Sequence, residues 1–183
     1  IVIERISGQS LEDFYATRIF EPLGMHDTFF NVPEDKLDRV VTNHYWNREE
    51  QKLSLLPPEY SRPVTGKTLF HAGGGLLSTA MDYVVFLEML RNGGSFNGVR
   101  ILGPKTVQYM MLPRLTQQVR DNGASDYPAA HLYPGQNYGL GAGVITNPEL
   151  SQVISSKGEY SWGGIADTKF WIDPQEDLVV VLM

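Results

Sequence analysis

The residues best placed to do chemistry are clustered in Tyr160-Ser161-Trp162-Gly163-Gly164-Ile165. The residues around them have strand character, and two adjacent glycines weaken a strand because nothing packs there and the unfolded chain keeps more freedom. Such a pair persists at a bulge, or where a second backbone or a ligand must come close. The residues alone leave both readings open. They leave Trp162 open too, as a core anchor or as one wall of a pocket.

Other candidate chemistry is thinner. Ala72-Gly73-Gly74-Gly75 invites comparison with a phosphate-cradling loop. However, no Gly-Lys-Ser/Thr follows and no Gly-x-Gly-x-x-Gly is present, which argues against a phosphate site. His26, His44, His71 and His131 lack metal-ligand spacing, and the chain has no cysteine. Each reads as a structural or surface histidine rather than a metal ligand, with His71, beside the glycines, the one to watch. No carboxylate pair stands out as a general acid and base. A Gly-x-Ser-x-Gly elbow is absent, which disfavours an α/β-hydrolase. No metal or other cofactor is called for.

The elements that must position these residues change character along the chain. A first helix should end at Gly8, where a left-handed cap is wanted. Ser10 with Asp13 resembles a capping box opening a second helix, whose apolar face is Leu11, Phe14, Tyr15, Ile19 and Phe20. Pro22-Leu23-Gly24 closes it. Prolines break residues 31–68 into loops, with a short strand expected over 42–46. Ser78 or Thr79 should cap a third helix made strongly apolar, hence mostly buried, by Met81, Val84, Val85, Leu87, Met89 and Leu90. Asn97-Gly98 reads as a tight hairpin turn, and Pro104 opens a short helix. Residues 114–136 read as a polar surface loop reaching over a pocket.

Strands follow. Residues 138–145, with glycine at alternate positions, are read as the first. Lys169–Asp173 alternates polar and apolar types, Asp173-Pro174 begins a turn, and the six apolar residues 178–183 have the pattern of a strand covered on both faces. The period thus switches from helical to extended near residue 137. The expected fold is α+β, one domain over 1–183, with 1–136 mainly helices and loops and 137–183 antiparallel strands.

Composition narrows the function classes. With 183 residues, 42% hydrophobic and 20% charged, the chain has globular values. A net charge of −6 argues against a nucleic-acid partner, which needs a basic face. No apolar run reaches membrane-span length, and no signal peptide is visible. The sequence opens without a methionine or helix cap and closes inside an apolar run, so it reads as an interior fragment. Any signal peptide would then lie upstream, leaving cytoplasm and periplasm both open.

Several blocks together carry a resemblance: Ile3-Glu4-Arg5-Ile6-Ser7-Gly8-Gln9-Ser10, then Ile19-Phe20-Glu21-Pro22-Leu23-Gly24-Met25-His26-Asp27-Thr28, then residues 72–80, Tyr138-Gly139-Leu140-Gly141, Trp162-Gly163-Gly164 and Trp171-Ile172-Asp173-Pro174. In this order the chain resembles the serine β-lactamase-related family, which joins class C β-lactamases, penicillin-binding-protein-type DD-peptidases and carboxylesterases. The resemblance covers essentially the whole chain and implies a transpeptidase-like fold.

It also implies hydrolysis of a small ester, amide or β-lactam through an acyl-serine, with a Ser-x-x-Lys nucleophile and a Tyr-x-Asn tyrosine. No serine here is followed three places later by lysine, and Tyr45-Trp46-Asn47 lies after the Pro-Leu-Gly-Met block rather than before it. Serine, lysine and tyrosine are therefore expected upstream. What the resemblance assigns to this chain is the substrate strand: Trp162, Gly163 and Gly164 stand where β-lactamases carry Lys-Thr-Gly, and the Ile165 N–H would be an oxyanion donor worth about 3–4 kcal/mol of barrier. Exchanging that lysine for tryptophan removes a cation and points to neutral esters or amides over penicillins. The competing readings are a non-catalytic relative binding a peptide, lipid or cell-wall ligand, and an unrelated α+β interaction domain.

Overall fold

The computed structural model describes residues 1–71, 73–116, 132–151 and 153–183. They form two compact units, 1–79 and 80–183.

In the first unit, α1 (Val2–Ser7) ends at Gly8, which has φ 71°. α2 (Leu11–Tyr15) is capped by Ser10, whose hydroxyl accepts the Asp13 N–H at 3.0 Å and donates to Asp13 Oδ2 at 2.7 Å. The helical path continues through a wider π turn (Ala16–Phe20) into α3 (Glu21–Leu23) and stops at left-handed Gly24. This places Leu11, Phe20, Leu23 and Met25 in a core with Phe30, which is fully buried. Tyr15, Phe30 and Phe70 stack in series, with ring centroids 5.8 and 5.1 Å apart. Phe29 and Leu77 exchange backbone hydrogen bonds of 2.9 and 2.8 Å, and Lys67 N–H donates to Asn31 Oδ1 at 2.7 Å, fastening the proline-rich loop to this core. The short strand expected over 42–46 is β1 (His44–Asn47). It pairs with β2 (Lys52–Leu55), a partner the sequence did not reveal, around a turn in which Gln51 takes φ 50°.

In the second unit, α4 (Ala80–Arg91) buries Leu87, Met89 and Leu90 and packs on β9 (Leu178–Leu182). Met81 is a correction: it is 73% exposed, because burial of α4 is concentrated in its last turns. β3 (Ser95–Phe96) and β4 (Val99–Arg100) form the expected Asn97-Gly98 hairpin, both turn residues having positive φ. α5 (Pro104–Met110) starts with proline in its first turn, as read from the sequence. The main sheet is antiparallel with order β5-β6-β7-β8-β9: β5 (Gln136–Tyr138), β6 (Gly143–Ile145), β7 (Tyr160–Gly163), β8 (Lys169–Asp173) and β9.

Two strand expectations change. Residues 138–145 are not one strand but the end of β5, a turn and β6, with Gly141 at φ 98° inside the turn. Among the described residues β9 is not covered on both faces: it is the last strand of the sheet, its middle half-buried and Leu178 and Leu182 exposed. Of the loop expected over 114–136, residues 117–131 lie outside the described residues. No helix among the described residues is long and apolar enough to cross a membrane.

Candidate active site

β7 holds the residues that the sequence singled out, and its register fixes what each can do. Tyr160 pairs with Ile172, Ser161 with Trp171, Trp162 with Phe170 and Gly163 with Lys169, one residue against one without interruption. The glycines therefore mark no bulge. Past the strand, the Gly164 N–H donates to Thr168 O at 2.8 Å. Antiparallel ladders alternate, so Gly164, Trp162 and Tyr160 address β8, while the backbone groups of Gly163 and Ser161 turn toward β6. β6 pairs only with Tyr160 and Ser161. The Gly163 edge thus extends beyond the β6 ladder. Ile165 follows in the turn closed by the Asp167 N–H on Gly164 O at 3.1 Å, and among the described residues its own N–H has no acceptor. The Ile165 side chain is fully exposed.

The two glycines differ. Neither has positive φ. A Cβ on Gly164 would sit 2.6 Å from Thr168 Oγ1, so the fold itself resists a side chain there. A Cβ on Gly163 would meet nothing nearer than Thr168 O at 3.4 Å and Lys169 Cγ at 3.7 Å, ordinary contacts. Packing within the described residues does not require glycine at 163.

Trp162 is half-buried, and its ring meets Tyr138 edge-on at 5.1 Å. Below it Tyr160 is buried, its hydroxyl donating to Leu140 O. Burial, with Tyr138 and Tyr83 nearby, pushes that phenol up to about 12. Burial and the neighbouring Asp173 charge also raise the Glu159 carboxyl, against the Ser161 hydroxyl. Burial alone would raise Asp173 as well. Bonds from Ser156 and from the Gln175 and Glu176 N–H groups outweigh it, hold that carboxylate below its usual range, and build the β8–β9 turn. Lys169 lies directly across from Gly163, on the face of the sheet opposite Trp162, so it does not replace a lysine at 162. That pairing was invisible in the sequence, because only the register makes the two residues neighbours.

The other sequence candidates fall elsewhere. His44 contacts its own loop, 3.0 Å from Thr42 O, and His26 is exposed. The His71 carbonyl accepts the Gly74 and Gly75 N–H groups at 3.2 and 2.7 Å, and His131 lies outside the described residues. Asn47 of Tyr45-Trp46-Asn47 accepts the Glu49 and Glu50 N–H groups at 3.0 and 3.2 Å, a turn-holding role in the β1–β2 hairpin. Among the described residues no group of three or more histidines and carboxylates could hold a metal.

Known proteins resemble this chain in sequence and fold. Protein Rv1367c of Mycobacterium tuberculosis is 31% identical over 187 aligned residues, which cover 100% of this chain and 45% of that protein. Simvastatin Synthase (LovD) from Aspergillus terreus, 25% identical, superposes with a TM-score of 0.82 over 98% of this chain and 46% of its own. EstCE1, a hydrolase with promiscuous acyltransferase activity, is 22% identical with a TM-score of 0.76 over 98% of this chain and 47% of its own, a likeness of fold alone. The chain spans about half the length of the curated relatives it matches. The Beta-lactamase family's sequence model matches residues 1–183. This chain belongs to the beta-lactamase family.

Proposed function

We propose that the chain forms the substrate-strand part of a serine acyl hydrolase that cleaves a small carboxylic ester or amide through an acyl-serine. The observation that carries this reading is the end of β7. There, a glycine not required by packing lies on a strand edge beyond the β6 ladder, followed by the acceptor-free Ile165 N–H. An extended substrate can lie along such an edge. A fixed N–H at its end can stabilise the oxyanion of a tetrahedral intermediate, because a preorganised donor costs no reorganisation when the charge develops. The half-buried Trp162 ring gives an apolar wall beside it, suited to a neutral acyl group.

Family membership supports the reaction class. None of the chain's serines heads a Ser-x-x-Lys motif, so the acylating serine would come from a part of the protein outside these 183 residues.

The test is active-site labelling of the full-length protein with a fluorophosphonate, alongside turnover of p-nitrophenyl acetate. One serine outside residues 1–183 should be labelled with concomitant loss of turnover, and Ile165→Pro, which deletes the donor, should lower kcat by roughly 10²–10³. Absence of both labelling and turnover overturns the reading.

A further inference from the structure

The first unit carries a second group of charges that the hydrolase reading does not use. A cavity of about 260 Å³ is lined by Arg62, Pro63, Lys67, Leu69, His71 and Gly75. Two of these side chains are permanent or near-permanent cations, and no carboxylate is among them. Lys67 Nζ donates to Phe30 O at 2.7 Å and Gly75 O at 2.8 Å, and Arg62 Nη1 donates to Gly74 O. All three acceptors are neutral carbonyls. An ammonium has three protons and a guanidinium five, so one donor on Lys67 and most of Arg62 have no acceptor among the described residues.

The glycines make room for this arrangement. A Cβ on Gly74 would collide with the Arg62 guanidinium, and one on Gly75 would lie 2.7 Å from His71 O and 3.2 Å from the Phe30 ring. One on Gly73 would press on His71 Cε1 at 3.3 Å. The three glycines thus let Arg62 and His71 close over the turn. Burial lowers the Lys67 pKa; the charge of Glu12 opposes this, and Arg62 adds to the lowering. Glu12 is not a counter-ion in the cavity wall: its two oxygens accept from the Asn31 N–H at 2.9 Å and Nδ2 at 3.2 Å.

We infer that Arg62, Lys67 and His71 form a binding site for an oxyanion, the carboxylate or phosphate group of a small molecule, over the turn at residues 73–75. An oxyanion there would accept the remaining donors of the two cations, the arrangement in which charge-assisted bonds are strongest. The recognition is by side chains and carries no phosphate-loop spacing.

The experiment is a titration of ¹⁵N-labelled full-length protein with sodium acetate and, separately, inorganic phosphate. Ionic strength is held constant with chloride, and the Gly73, Gly74 and Gly75 amides are followed. Saturable shifts are expected, weakened roughly tenfold or more in Arg62→Gln and in Lys67→Gln. Saturation by acetate alone identifies a carboxylate ligand, and saturation by phosphate alone a phosphate ester. If Lys67→Gln fails to fold, Arg62→Gln decides, since that side chain is exposed and donates only to the Gly74 carbonyl among the described residues. A linear drift with either anion, the same in wild type and Arg62→Gln, overturns the site.

Discussion

Replacing Gly163 and Gly164 by alanine, one at a time, should separate what the strand needs from what a substrate needs. At 164 the new methyl would lie 2.6 Å from Thr168 Oγ1, roughly 1 Å inside ordinary contact. Overpacking of this size costs about 1–3 kcal/mol, so Gly164→Ala should lower the urea midpoint. Thr168→Ala removes the offending hydroxyl and leaves the Thr168 Cβ 4.0 Å away, an ordinary contact. The double variant should then recover most of the loss, a coupling of about 1–2 kcal/mol between neighbours. At 163 the methyl meets only contacts of 3.4 and 3.7 Å with φ outside the positive region, so stability should change by no more than about 0.5 kcal/mol.

Activity should show the opposite order for Gly163. A methyl on the strand edge obstructs a substrate lying along it, and about 1.4 kcal/mol of lost transition-state binding is tenfold in kcat/KM. The assay is urea unfolding of each full-length variant beside kcat/KM for p-nitrophenyl acetate, corrected for folded fraction. Gly163→Ala with full activity per folded molecule and a lowered midpoint would refute the reasoning. It would make Gly163 a packing residue and move the substrate elsewhere.

Trp162→Ala should raise KM for esters with apolar acyl groups, while Trp162→Lys should favour carboxylate-bearing substrates over neutral ones; melting curves must accompany both, since a buried tryptophan costs about 3–5 kcal/mol on truncation and this half-buried one less. Tyr160, pushed up to about 12 in the fold from 10.0, keeps its proton longer folded than unfolded. Its contribution is therefore complete below pH about 10 and should fall by about 2–3 kcal/mol as pH rises toward 12, a limb that pH-dependent denaturation should find missing in Tyr160→Phe. Along α4, Met81→Glu should shift stability by less than about 0.5 kcal/mol, whereas Leu87→Ala should cost about 2–5, measured by urea unfolding.

What the sequence determined by itself was local. Gly8 and Gly24 end their helices because a left-handed residue costs least without a Cβ, and Ser10 caps α2 because its hydroxyl reaches the Asp13 N–H three residues on. Asn97-Gly98, Pro104 and the turn begun by Asp173 were legible for the same reason: each effect acts within a few residues. The strand carrying Trp162 and Gly163 was legible too, and the family through the resemblance of its motif blocks.

What only the tertiary structure decided was which side of each element another element covers. Periodicity marked Met81 as core, yet burial gathers in the later turns of α4. Alternating glycines at 139, 141 and 143 looked like one strand, yet the chain reverses between β5 and β6. Lys169 faces Gly163 only through register, and Arg62, Lys67 and His71 meet only because the loop folds back over residues 73–75. Such contacts depend on pairings between segments distant in sequence, and spacing along one chain does not encode a distance between two.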